Sequence, residues 1–204
     1  MAEDGLAIRR LEERELPAAA RLVAYAMRDN PLHIAALGHN PHRRTRVLRR
    51  LFAALLADPA RQVHGAYRGG ALIGVIAYTQ GGRCLPSWRQ WRAFFPVAWA
   101  AGMRLPWLAR WLWAWWRADP KESHSHLGPV AVAPTHQGAG VGTELLRAHV
   151  SQLDACEVPG YLETDSEANV RFYAACGFIT VRKRRVLGVQ NWFMTRPCCR
   201  QSRR

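Results

Sequence analysis

The chain has 204 residues, with 29 Lys plus Arg against 15 Asp plus Glu and a formal net charge of +14. That length buries a full core without disulfides or metals, so one domain is expected over 1–196, with a basic tail at 197–204. Five cysteines, an odd number with no C-x-x-C pair, argue against a disulfide scaffold and fit a protein kept reduced in the cytoplasm. The opening MAEDGLAIRRLEERE is charged throughout and holds no signal-peptide apolar run, so the chain is expected to stay where it is made. The positive charge invites a nucleic-acid reading. Arginine carries nearly all of it, however, Lys121 and Lys183 being the only lysines. It is also scattered, over Arg43 to Arg50, Arg182 to Arg185 and Arg200 to Arg204, which does not suit a dedicated nucleic-acid face.

Taken in order, Leu6 to Arg10 reads as a strand. Glu12 to Asn30 follows as a helix with apolar residues at Leu16, Ala19, Ala20, Val23, Ala24 and Met27. Asn30-Pro31 is expected to end it, leaving a loop over His33 to Pro41. Pro41 and His42 open a second helix to about Ala57, with Val47, Leu48, Leu51 and Leu55 inward. Arg43, Arg44, Arg46 and Arg50 are expected outward, on a solvated face. Gln62 to Tyr67 and Ala71 to Gln80 form a hairpin across Arg68-Gly69-Gly70. Ser87 to Arg117 then holds eight of the nine tryptophans, broken by Pro96, Gly102 and Pro106, with Leu108, Trp111, Leu112 and Trp115 at helical spacing. Arg104 and Arg110 interrupt it, so it is no membrane span. Core packing with a homodimer patch, the wall of a pocket for a flat or apolar substrate, and a membrane-surface helix all remain open for it.

Leu127 to Ala133 is a short apolar strand, and Pro134 opens a turn into Gln137-Gly138-Ala139-Gly140-Val141-Gly142. From Thr143 to about Leu153 the pattern is an amphipathic helix. Glycines without Cβ atoms, followed by the unpaired N–H groups of a helix start, make a site for a pyrophosphate. A Walker loop needs a Lys before its Ser/Thr, and Thr143 follows Gly142 directly. A dinucleotide fingerprint fits Gly138 and Gly140, with Glu163 at a suitable distance, but puts Thr143 where its third glycine belongs. Downstream, Gly160 to Thr164 reads as a strand and Asn169 to Cys176 as a short helix ended by Gly177. Phe178 to Arg185 and Gly188 to Met194 read as a closing hairpin.

The spacing Gln137-x-x-Gly140-x-Gly142 resembles the acetyl-CoA loop of the GNAT superfamily of N-acetyltransferases. The series Leu162-Glu163-Thr164, Asn169, Phe172-Tyr173, Gly177-Phe178 and Trp192-x-Met194-Thr195-Arg196 is similar to the branch containing puromycin N-acetyltransferase. The strong likeness covers roughly Pro120 to Arg196. It implies an α/β GNAT fold, a mixed splayed sheet of six or seven strands flanked by helices, with the Trp-rich 88–117 segment inserted between the third and fourth strands. It also implies acetyl transfer from acetyl-CoA to a primary amine by direct attack in a ternary complex. The acceptor expected is a small molecule, a drug-like or aminonucleoside amine, which would make antibiotic resistance a role. A protein amine, or acyl-CoA binding without catalysis, stays open.

The reaction needs a held thioester, a neutral amine, a stabilised oxyanion and a proton for the leaving thiolate. The resemblance gives the first to Gln137, Gly138, Ala139, Gly140, Val141, Gly142 and Thr143, with Val130, Ala131 and Val132 pairing the pantetheine arm and Asn169 and Phe172 alongside. It also implies a bulge that frees an N–H near Val130 for the thioester oxygen. Ala139 stands where relatives often carry Arg or Lys, so weaker cofactor binding is expected. Tyr173 is the candidate general acid; a core aromatic is the plain alternative. An amine of pKa near 10 is about 99.9% protonated at neutral pH, so a base or water relay is needed. Glu163 is the candidate base, and with Asp165 and Glu167 it forms an acidic cluster that suits a cationic amine. A strand-end carboxylate would serve structure instead. His124 is an alternative base or acceptor contact. His124 and His126 share a strand face, but without further ligands no metal is expected. Asn169 is read as a helix N-cap, a cofactor contact or both.

Overall fold

The backbone was described from a computed structural model covering residues 5–79 and 88–198, the side chains of 88–91 excepted. Gln80, Ser87 and the tail beyond Cys198, all named above, lie outside the described residues. The strands are β1 (Ala7–Arg10), β2 (Arg61–Arg68), β3 (Ala71–Thr79), β4 (Ser125–Val132), β5 (Gly160–Thr164), β6 (Ile179–Val186) and β7 (Val189–Arg196). They form one seven-stranded sheet in the order β1-β2-β3-β4-β5-β7-β6. Every pairing is antiparallel except that of β4 with β5. This is the α/β, mixed-sheet layout expected.

Helices cover both faces. The α1 (Leu16–Met27), α3 (Pro41–Leu56), α4 (Trp88–Ala101) and α5 (Leu105–Trp116) helices share one core with Val75 and Ala77 of β3. On the other face α6 (Val141–Cys156) and α7 (Glu167–Ala174) share a core with Ile76, Tyr78 and Leu162. The uninterrupted apolar run in β3 is thus explained by burial on both sides. Gly74 in that strand lets α6 sit close, since a Cβ there would come within 2.9 Å of Leu145 and 3.0 Å of Val141. Those two α6 residues are almost fully buried. Truncating Leu145 to Ala would cost about 2–5 kcal/mol.

Four readings need correction. The expected loop after Asn30 holds a further helix, α2 (Pro31–Leu37): Pro31 starts a helix instead of only ending one, because its missing N–H is an orphan at that position anyway. Arg44 does not face solvent but is 4% exposed. Its guanidinium donates to Arg28 O and Gly38 O, each at 2.8 Å, and pairs with Asp29. It therefore satisfies the carbonyl ends of α1 and α2 together. Pro96 lies inside α4 without breaking it. Finally, α7 starts from Ser166, so Asn169 is its third residue and not its N-cap.

Candidate active site

The loop after β4 is bent back on itself. Gln137 Nε2 donates to Val132 O at 3.1 Å, and a short 3-10 turn, Pro134–His136, precedes it. Gly138 and Gly140 then take φ of 78° and 79°, the left-handed region that L residues seldom adopt. A Cβ built on either would meet no atom within 4 Å, so both point into open space. The α6 helix starts at Val141, two residues earlier than expected, and Glu144 N returns to Gly140 O at 3.1 Å. Its first-turn N–H groups, Val141 to Thr143, are left without helical acceptors and carry the positive end of a four-turn dipole. Beside them a Cβ on Gly142 would lie 3.6 Å from both the Phe172 ring and Val132 Cγ2. Val132, Gly142 and Phe172, from three separate elements, therefore meet at the mouth of α6. With bare exposed main chain at Gly138–Gly140, the residues present fit a diphosphate-bearing ligand.

The sheet opens next to this mouth. Parallel pairing of β4 with β5 stops after Ser125↔Gly160 and His126↔Tyr161. Beyond it β4 pairs only with β3, as far as Gly74↔Val132, and β5 only with β7, as far as Thr164↔Trp192. The Val130-Ala131-Val132 main chain thus has a strand on one side and the opening on the other. Ile76 pairs with Val130 and Tyr78 with Leu127, so Gly128-Pro129 stand opposite the single residue Ala77. That is a bulge, lying just before Val130.

Buried polar side chains converge at the closed end of the opening. Glu163 Oε2 lies 2.9 Å from His126 Nε2, and His126 Nδ1 lies 3.1 Å from Asp119 Oδ1. His124 Nε2 approaches the same Asp119 oxygen at 3.2 Å, while its Nδ1 is 2.8 Å from Glu122 O. The Glu163 side chain is 2% exposed, and its Oε1 makes no hydrogen bond of regular geometry among the described residues, although the Tyr161 hydroxyl is close enough to interact with the carboxylate. Tyr161 sets its ring edgewise against both imidazoles and donates its hydroxyl to Ala118 O at 3.2 Å. Burial, then the charge of Glu163 and a hydrogen-bond interaction with it, push that phenol far above its usual value. Burial opposes the Asp119 charge, but hydrogen bonds from His124 and His126 outweigh it and hold the carboxyl below the usual range. For His124, burial again works against the charged form and is outweighed by the Asp119 hydrogen bond, so its pKa is raised.

His126 is the informative member of this cluster. A neutral imidazole donates from one nitrogen only, and here both nitrogens face carboxylate oxygens. For both contacts to be hydrogen bonds, the Glu163–His126–Asp119 chain must hold one proton more than a neutral imidazole and two carboxylates supply. Asp119, His124 and His126 are also close enough to share a metal ion, their ligand atoms lying within 4.8 Å of one another. Asp119 supplies the third group that the sequence spacing did not offer. It lies in the turn after α5, and no motif marks it.

The other expected site residues divide. Tyr173 is 8% exposed between Phe172 and Phe178, with ring centroids at 5.1 and 6.0 Å. Burial, then the Asp165 charge, raise its phenol above the ordinary tyrosine value. Asp165 is itself buried and accepts from Leu32 N at 2.7 Å, holding the start of α2 from across the chain. That structural use stands against its expected place, with Glu163 and Glu167, in an acidic cluster for a cationic amine. His124 is likewise enclosed, with both nitrogens engaged, and offers no free nitrogen to an acceptor. Asn169 is partly buried on the first turn of α7.

The protein is similar in structure to the histone acetyltransferase HPA2 and related acetyltransferase from Corynebacterium glutamicum ATCC 13032. That match has a TM-score of 0.73 at 19% identity, over 97% of this chain and 98% of that one. It is also similar to the PaiA N-acetyltransferase of Thermoplasma acidophilum, solved in complex with coenzyme A, with a TM-score of 0.60 at 12% identity over 95% and 99% of the two chains. A GNAT family acetyltransferase from Brucella melitensis, solved in complex with acetyl-CoA, matches with a TM-score of 0.55 at 17% identity over 96% and 89%. At these identities the likeness is one of fold. The model of the acetyltransferase (GNAT) family matches residues 31–178, most of the chain and all of the glycine loop, and the protein belongs to that family.

Proposed function

We propose that the protein transfers the acetyl group of acetyl-CoA to the primary amine of a small molecule, by direct attack within a ternary complex. The observation that carries this reading is the juxtaposition of an open, bare-backbone helix mouth with a splayed β4–β5 gap that ends on a buried carboxylate, one oxygen of which makes no regular hydrogen bond. Acetyl-CoA supplies an activated acyl thioester when bound. The N–H groups of Gly138 to Thr143 would hold the diphosphate, and the edge of Val130-Ala131-Val132 that faces the opening would receive the pantetheine arm as an added strand. Phe172 and Val132 wall the helix mouth, and Asn169 lies on the neighbouring helix. The bulge before Val130 turns a main-chain N–H toward the thioester oxygen.

Glu163 takes the amine proton. Its Oε1 is the acceptor that makes no regular hydrogen bond, and His126, backed by Asp119, absorbs the change in charge through Oε2. Tyr173 donates to the departing sulfur as charge develops there; burial keeps it protonated at neutral pH but also makes it a weaker acid than a free phenol. Asp119 and His126 act through Glu163, so they are positioning residues. The Trp192-x-Met194-Thr195-Arg196 ending supports placement in the puromycin N-acetyltransferase-like branch, and with it a drug-like or aminonucleoside acceptor handled in the cytoplasm.

The test is a panel of small amines and one peptide α-amine with free-thiol detection, run on wild type, Tyr173→Phe and Glu163→Gln. Thiol release should require a small amine and fall about 10²-fold or more in each variant. Equal rates in all three proteins would refute the assigned roles. Turnover confined to the peptide amine would move the acceptor to protein.

A further inference from the structure

Of the ten exposed large apolar side chains among the described residues, seven belong to one stretch: Phe95, Trp99, Met103, Leu105, Trp107, Trp113 and Trp116. That concentration is not what core packing produces. The α4 and α5 helices do have inward faces, where Val97, Ala101, Leu108, Trp111 and Ala114 are buried against α2 and α3. They also carry a second apolar face turned outward. Phe95 and Trp99 lie one turn apart on α4 and are 73% and 81% exposed, and Met103, in the 3-10 turn Gly102–Arg104 that follows, is 88% exposed. On α5, Leu105, Trp113 and Trp116 follow the same helical stripe, with Arg110 and Arg117 at its flank.

The charges bordering these stripes are all of one sign. Residues 88–117 contain five arginines and no acid. Arg104 lies over the Trp107 ring at 5.4 Å and Arg117 over Trp113 at 5.1 Å, so guanidiniums and indoles form mixed units. Beside Trp113 a cavity of about 180 Å³ opens between α5 and the end of β6, lined by Arg110, Arg184 and Arg185. Among the described residues none of these three guanidiniums pairs with a carboxylate. A two-fold contact with another copy would bring two acid-free sets of arginines together, which like-charge repulsion opposes. Indole and phenyl groups set among arginines instead match the water–lipid boundary, where rings settle at headgroup depth and guanidiniums bind phosphate.

We propose that the outward face of α4 and α5 docks the protein peripherally on an anionic lipid surface. Phe95, Trp99, Met103, Trp113 and Trp116 enter the headgroup layer, and the Arg110–Arg184–Arg185 cavity receives a lipid phosphate. No described helix is long and apolar enough to cross a membrane, so the contact lies in the surface plane. This inference does not depend on the acetyl acceptor.

Full-length protein would be sedimented with vesicles of phosphatidylcholine alone and with about a third phosphatidylglycerol, while its tryptophan emission is followed. The expected result is binding and a blue shift with the anionic vesicles, strongly reduced with neutral ones and reversed by salt. Trp99→Ala combined with Trp113→Ala should weaken binding at least about tenfold. Arg110→Gln combined with Arg184→Gln should remove the preference for anionic lipid. All four sites are exposed to solvent or line an open cavity, so the variants should keep the wild-type melting temperature and wild-type turnover of a soluble amine. No binding to anionic vesicles would overturn the proposal. So would a solution dimer that Trp99→Ala dissociates, or single-stranded RNA binding that the same tryptophan changes abolish while vesicle binding persists.

Discussion

The β4–β5 opening and the α4–α5 helices depart from the usual partition of side chains in opposite directions. Around the opening the chain buries polar groups, Glu163, His126, Asp119 and His124 forming one enclosed network, and against Tyr78 of β3 it buries His149 of α6, 2% exposed with neither nitrogen partnered among the described residues. On α4 and α5 it exposes apolar ones. Buried polar groups burden folding stability directly unless each is paired. Exposed indoles leave the fold nearly untouched and burden solubility instead. The first kind of departure therefore shows itself in pH and turnover, the second only when a partner surface is supplied.

His149 gives the sharpest way to break that contrast. Burial first, then the nearby His64 and Arg196 charges, lower its pKa to about 4. Unfolded, it would titrate near 6.5. The folded state thus keeps its full stability above the unfolded value and loses part of it as pH falls from there toward 4. At 2.5 units the loss is about 3 kcal/mol. Urea titrations at pH 7 and pH 4 should show His149→Phe losing that much less than wild type between the two. Equal losses would mean that the ring is hydrated or paired in solution.

A smaller effect of opposite sign is expected at His124. Its pKa is raised by Asp119, so its contribution is complete below about 6.5 and drains as pH rises through the folded value. Wild type should lose stability as the pH rises from 6 to 9, because the unfolded imidazole gives up its proton before the folded one does. His124→Gln should show a shallower profile over that interval, read by the same urea titrations. A His124→Gln profile as steep as wild type would contradict the hydrogen bond to Asp119.

The difference between these regions also explains what could be read from the chain itself. The glycine loop, the Leu162-Glu163-Thr164 strand end and the Phe172-Tyr173 helix were legible because their chemistry is local: positive φ, a helix start and alternating burial all leave marks within a few residues. The Trp-rich stretch was legible as helical for the same reason. Arg44 was misread because its partners are the ends of two other helices, one of which, α2, was itself hidden behind Pro31. Asp165 looked like a lure for cations because its partner, Leu32 N, lies 133 residues away. Asp119 and its link through His126 to Glu163 left no trace in spacing, because three separate stretches meet there only after the sheet forms. Residues whose role depends on distant partners are the ones that local pattern does not reveal.

The central claim is that bare main chain at the mouth of α6 holds a diphosphate, and it is tested most directly by comparing coenzyme A with pantetheine, which lacks that group. Calorimetric titration should find coenzyme A bound at least about 10²-fold more tightly by wild type. Gly140→Val, which places a branched side chain where φ is 79° and the space is open, should remove most of that advantage and leave pantetheine binding unchanged. Equal affinities of the two compounds for wild type would contradict the account, whatever the variant does.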